Sequence, residues 1–179
     1  MVLRHFPDDR AFEHYLREHQ LPYVAVDEAK RALHTQPDTP HTLEAGLKNF
    51  DFVVYPPTRS GTPSAGLLID VKGRACRRTT FETWVSEDDI TSLTRWQALF
   101  GPGFRSAFVF LHWWTDPPAD GLFREIFEHQ GRWYAPSVIL LDDYTTAMKP
   151  RSPRWRTVSL PKAAFDRFSQ PLARMLNTD

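Results

Sequence analysis

The chain has 179 residues, 41% hydrophobic and 13% aromatic, enough to bury one core of ordinary domain size. Its 22 Lys and Arg balance 22 Asp and Glu, so no global positive field recruits nucleic acid, and any such binding needs a local basic patch. Cys76 alone excludes an internal disulfide and a multi-cysteine zinc site; with no apolar leader in MVLRHFPDDRAFEHYL and no run of roughly 18 apolar residues, the expectation is a cytoplasmic protein without a membrane span.

Pro7-Asp8-Asp9 before AFEHYLREH predicts a helix, with acids at the positive end of its dipole and Phe12, Tyr15 and Leu16 on one face. Glu13 borders that face, either as a solvated helix glutamate or as an acid turned toward a site. Pro22 ends the helix, and Tyr23 to Val26 reads as a short strand. Asp27-Glu28 opens a helical patch, AKRALH, which fades into the loop QPDTPHT. Glu28 is a second candidate acid, although helix capping accounts for it more simply.

NFDFVVY and GLLIDVKGR read as two strands around the Pro- and Gly-bearing segment PPTRSGTPSA. An antiparallel hairpin closed there sets Tyr55 opposite Gly66, and counting back sets Asp51 opposite Asp70. Directly paired Cβ atoms lie roughly 4.5–5.5 Å apart, and like charges in such a pair repel. Side-chain alternation puts Lys72 on the same face as Asp70. Two carboxylates and an ammonium therefore converge at the open end of the hairpin. A divalent cation with hard oxygen ligands would relieve the repulsion. The plainer reading is an ion network at a sheet end, in which Lys72 offsets one acid while the two carboxylates still face each other.

Arg74, Arg77 and Arg78 follow, as a phosphate-contacting edge or as a solvated basic turn. Ser86 caps the next helix with Asp89 in the capping-box position. Ile90, Leu93, Trp96, Leu99 and Phe100 form its apolar stripe, and Gly101-Pro102-Gly103 stops it. Gln97 borders that stripe, where an amide needs a hydrogen-bonding partner, most simply a backbone group. AFVFLHWW, ending at Trp114, is the near-continuous apolar run of a strand buried on both faces, with His112 as a core or sheet-end histidine. Leu122 to His129 predicts a short helix, Arg132 to Leu141 a strand pair or bent strand, and Asp142-Asp143 the cap of a helical turn. From Lys149 the charge changes sign: Lys149, Arg151, Arg154, Arg156, Lys162, Arg167 and Arg174 face only Asp166 before Asp179, with Trp155 among them. This stretch is either a phosphate-holding surface with a base-stacking aromatic or the solvated flank of a last helix from Lys162 to Leu176.

The order helix, strand, strand with Asp51, strand with Asp70-x-Lys72, helix, strand resembles the core of the PD-(D/E)xK nuclease superfamily, which includes restriction endonucleases and Holliday-junction resolvases. The resemblance spans roughly Asp8 to Trp114; the family's usual Pro before the first Asp is replaced by Phe50. It implies an α/β fold, a central mixed β-sheet flanked by helices, with a restriction endonuclease-like αβββαβ core and C-terminal additions in a single domain. It also implies that Asp51 and Asp70 bind Mg²⁺ or Mn²⁺, and that Lys72 orients or helps deprotonate the attacking water and stabilises transition-state charge. Glu13 matches the family's acid on the first helix, and Gln97 resembles its polar residue on the following helix. The implied activity is metal-dependent hydrolysis of phosphodiester bonds, with DNA as the expected partner and a homodimer suited to cutting two strands. The alternative is a noncatalytic module of the same fold that binds nucleic acid or a protein. Other enzyme classes lack their signatures, since no G-x-x-x-x-G-K-[ST], G-x-S-x-G or H-E-x-x-H motif occurs.

Overall fold

The computed structural model describes residues 7–26, 48–57, 65–76, 81–118 and 125–176. Helix α1 (Pro7–Glu18) leads into β1 (Tyr23–Ala25), β2 (Phe52–Val54), β3 (Gly66–Ala75) and the short β4 (Val85–Ser86). Helix α2 (Glu87–Phe100) connects to β5 (Phe104–Trp114), then β6 (Phe127–His129), β7 (Arg132–Leu140) and α3 (Leu141–Ala147). The chain continues with β8 (Lys149–Ser152), β9 (Thr157–Ser159), α4 (Lys162–Phe168), β10 (Gln170–Pro171) and α5 (Leu172–Leu176).

The main sheet runs β1-β2-β3-β5-β7-β10, with β6 also on β7, and a second sheet runs β4-β9-β8. Strands β3 and β5 are parallel, because α2 carries the chain back across the sheet between them, and the other pairs in the main sheet are antiparallel. The result is the expected α/β arrangement, a mixed central sheet flanked by helices.

Alternation along the strands sorts side chains into two cores. Leu67, Ile69 and Val71 of β3 pack with Phe12, Tyr15 and Leu16 of α1, whereas Leu68 packs with Leu93 of α2, Phe108, Phe110, Tyr144 and Phe165. Asp70 and Lys72 continue the Leu68 series, which turns them toward α2. Central strand β5 is buried without interruption from Ala107 to Leu111. His112 is buried with them, its ring stacked on Phe81 and its Nε2 3.1 Å from the Glu82 carbonyl oxygen.

Two expected helices are replaced by other structure. Within Leu122 to His129, the described residues 125–129 end in strand β6, which folds onto β7 through Gln130 (φ 51°) and Gly131 (φ 76°). Two consecutive positive φ values make the tight turn that joins antiparallel strands, and Phe127 stacks on Tyr134 across the pair. The expected last helix, Lys162 to Leu176, breaks after Phe168. Pro171 has no N–H to donate and its ring disfavours a helical Gln170, so these two residues pair with β7 before α5 begins. Asp142 and Asp143 lie inside the first turn of α3 rather than capping it, and the helix starts directly from the end of β7. The helical patch after Asp27, with Glu28, and the arginines Arg77 and Arg78 lie outside the described residues.

Candidate active site

Strands β2 and β3 pair in the expected register, Phe52 with Ile69 through Val54 with Leu67, so Asp51 immediately before β2 continues the ladder toward Asp70. Its main chain is held on both sides: the Asp51 N–H donates to the Ile69 carbonyl (2.8 Å), and the Asp51 carbonyl accepts the Val26 N–H (2.9 Å). The carboxylate is tied as well, Oδ2 accepting the Val71 N–H at 2.6 Å.

Lys72 Nζ lies 2.7 Å from Asp70 Oδ1 and 3.4 Å from Asp89 Oδ2. Asp89 Oδ1 in turn meets Lys48 Nζ at 2.9 Å, and Lys48 also donates to Ser86 Oγ at 3.0 Å. The expected capping box forms, with Ser86 Oγ accepting the Asp89 N–H (3.1 Å) and Asp89 Oδ2 accepting the Ser86 N–H (2.9 Å). The cap therefore does more than start α2. It aims a carboxylate at Lys72 and completes a row of alternating charge: Asp70, Lys72, Asp89, Lys48.

Burial, the Asp70 charge and the Asp9 charge, in that order, hold the Asp51 carboxyl well above the usual carboxylate range, against the opposing Val71 N–H and Lys72 ammonium. Burial likewise raises Asp70, with Lys72 opposing and Asp89 adding. For Lys72, burial disfavours the ammonium, but the charges of Asp70, Asp89 and Asp51 outweigh it and raise its pKa. Asp89 shows the opposite balance: burial is overcome by Lys72, Lys48 and the Ser86 cap, and its pKa falls to about 2.

That depression carries a stability prediction. A carboxylate whose native pKa lies below its unfolded value contributes stability above the unfolded pKa and loses it as pH falls through the native one. Asp89→Asn is expected to lower unfolding free energy by about 2 kcal/mol at pH 7, the gap to wild type closing as pH falls from about 4 toward 2, as read by urea denaturation at each pH.

The structure brings Asp51, Asp70 and Lys72 together. Glu13 is turned to Tyr23 and Arg17, its Oε1 accepting from the Tyr23 hydroxyl and the Arg17 guanidinium, each at 2.7 Å. Gln97 serves β5, its Oε1 accepting the Ser106 N–H at 2.5 Å, about 12 Å along α2 from Asp89. The α1 acid whose charge reaches Asp51 is Asp9, one turn before Glu13. Helix α1 comes this close because β3 has a glycine beneath its first turn: a Cβ on Gly73 would lie 1.9 Å from Asp8 Oδ2. Arg74 is drawn inward and is not a free phosphate-contacting edge. Its guanidinium donates to the Gly73 and Trp84 carbonyls (2.8 and 2.6 Å) and lies 4.2 Å from the Trp84 ring centroid.

Sequence reasoning read Asp9 and Asp89 only as helix-start acids and passed over Lys48. The capping box located the turn that carries Asp89, but the packing of that turn on Lys72 depends on the β3–α2 connection. Among the described residues, no three His, Cys, Asp or Glu side chains converge to hold a metal ion. Two neighbouring carboxylates nonetheless suit Mg²⁺, which takes one or two protein carboxylates and fills its other positions with water and substrate phosphate.

No protein-family model and no curated protein matches the chain. Among solved structures it is similar to Hjc of Archaeoglobus fulgidus, a Holliday junction resolvase from an archaeal hyperthermophile, with a TM-score of 0.52 over 95% of this chain and 93% of that chain. The fold is restriction endonuclease-like. At 13% identity the likeness is one of architecture, and at 95% coverage it extends beyond the core expected over residues 8–114.

Proposed function

We propose that the protein is a divalent-metal-dependent nuclease that hydrolyses phosphodiester bonds in DNA, with Asp51 and Asp70 as metal-binding carboxylates and Lys72 as the catalytic ammonium. The observation that carries this reading is the convergence of two mutually repelling, desolvated carboxylates with a lysine on a resolvase-like fold. Mg²⁺ or Mn²⁺ held by Asp51 and Asp70 would polarise a phosphate oxygen and lower the pKa of a bound water.

The Lys72 ammonium, 2.7 Å from Asp70 and 3.4 Å from Asp89, would stabilise negative charge developing on the phosphate oxygens. Asp89 gives the ammonium a second carboxylate partner besides Asp70. Attack of the water oxygen on phosphorus would break the scissile P–O bond, the water releasing a proton to solvent and the leaving oxygen taking one up from solvent. Asp9 would supply the acid of α1, while Glu13 supports Tyr23 of β1 and Gln97 supports the backbone of β5. Among the described residues, no helix is long and apolar enough to cross a membrane. The likeness to a Holliday junction resolvase supports DNA as the substrate, and a homodimer would suit the cutting of two strands.

The test is incubation of purified protein with labelled four-way-junction and linear duplex DNA in Mg²⁺, in Mn²⁺ and in EDTA. Cleavage with metal and none with EDTA is the expected outcome. Binding without cleavage in either metal would instead identify a noncatalytic module.

A further inference from the structure

The β8–β9 hairpin carries a side chain that neither the fold nor the proposed reaction uses. Trp155, in the turn between these strands, is 69% exposed, the most exposed aromatic side chain among the described residues. Arg154 lies beside it, its guanidinium 5.3 Å from the ring centroid. Lys149, Pro150 and Arg151 are exposed on β8, the outer strand of the second sheet. Charge and proline on an outer strand guard against edge pairing, which accounts for these three residues. That function has no need of a tryptophan at the tip.

The tip is firmly held. Arg156 adopts a left-handed conformation (φ 46°), its carbonyl accepts the Glu87 N–H at 2.9 Å, and its guanidinium meets Glu87 (3.1 Å) and Asp88 (3.5 Å). Thr157 pairs with Ser86 in the adjoining strands. The hairpin is thus clamped to the first turn of α2, the turn that presents Asp89 to Lys72. Arg156 and Arg151 are offset by Glu87, Asp88 and Glu82, whereas no ion pair among the described residues takes up Lys149 or Arg154. An exposed aromatic face with two uncompensated cations, fixed beside the candidate active site, has the chemistry of a single-strand contact.

We propose that the β8–β9 hairpin is a nucleic-acid-binding element in which Trp155 stacks on an unpaired base while Lys149 and Arg154 contact flanking phosphates. This rests on the reading of the protein as a DNA nuclease and adds the substrate class. A base inside a continuous duplex has both faces covered by its neighbours, so the hairpin favours DNA with unpaired or splayed bases over uniform duplex.

Fluorescence anisotropy in EDTA, with a labelled single-stranded oligonucleotide and the matching duplex, tests binding apart from cleavage. Trp155→Ala is expected to weaken single-strand binding by about tenfold and duplex binding by less than about twofold, with Trp155→Phe retaining most of the affinity. Replacing Lys149 and Arg154 together by Ala should weaken both substrates and reduce the salt slope by about 2. Wild-type single-strand affinity in Trp155→Ala, or no single-strand binding by wild type, overturns the proposal. The two readings separate cleanly. Metal-dependent cutting with an unaffected Trp155→Ala sinks the hairpin alone, whereas selective loss of single-strand binding in a protein that never cuts sinks the nuclease and leaves the hairpin standing.

Discussion

Asp70→Ala and Lys72→Ala should each slow DNA hydrolysis by about 10²- to 10³-fold, measured as single-turnover cleavage with enzyme in excess. The two losses differ in kind. Asp70 is the nearest partner of Lys72 and, in the proposed mechanism, a metal-binding carboxylate, so its removal would take away one donor and loosen the ammonium at 2.7 Å. Lys72→Ala leaves both carboxylates in place and should lower the cleavage rate while metal binding persists. Lys72→Arg should not restore the rate, because a planar guanidinium cannot reproduce a compact ammonium held between Asp70 and Asp89. Cutting by Asp70→Ala or Lys72→Ala at the wild-type rate would remove the catalytic assignment.

Asp51→Asn should raise, rather than lower, the melting temperature of the metal-free protein at pH 8. The sign follows from the direction of the shift. A carboxyl with a raised native pKa favours folding while protonated, and that advantage is lost as pH rises from the unfolded value through the native one. At pH 8 the native state holds a charge that burial and Asp70 both oppose. Asparagine removes the charge and can still accept the Val71 N–H. A gain on the order of 1 kcal/mol, or about 2–4 °C for a chain of this length, is expected, shrinking as pH falls through the native Asp51 pKa. Mn²⁺ should reverse the ranking: it stabilises wild type by about 2.7 kcal/mol at a hundredfold excess over Kd, and Asp51→Asn hardly at all. Differential scanning fluorimetry at pH 5 and 8, with and without Mn²⁺, checks both halves. A destabilised Asp51→Asn at pH 8, or an equal Mn²⁺ shift in both proteins, would sink the account.

The hairpin register was legible in the sequence because apolar alternation and the Pro- and Gly-bearing turn point to the same pairing. The acid of α1 was not. Asp9 and Glu13 share a helix face one turn apart, and sequence periodicity reports the face but not the height at which a helix sits on a sheet. That height is set by the close contact of Asp8 with Gly73, a feature of tertiary packing. Gln97 was readable as an amide bordering the buried face, and its hydrogen bond to the Ser106 N–H is the plainer of its expected uses. The β6–β7 turn escaped notice because its first residue, Gln130, gives no sign of adopting positive φ. Lys162 to Leu176 read as continuous because its apolar spacing carries across Pro171, where the missing N–H decides otherwise.

The outer side of β7 is shared by two short strands from distant parts of the chain, β6 along Arg132–Tyr134 and β10 along Ser137–Val138. Pro136, which has no N–H to offer, falls between them. This border of the sheet is sealed in pieces, and one seal comes from the C-terminal segment. A chain cut before Gln170 would keep Asp51, Asp70 and Lys72 yet bare a stretch of β7 backbone to other copies, so its first defect would be self-association through strand pairing.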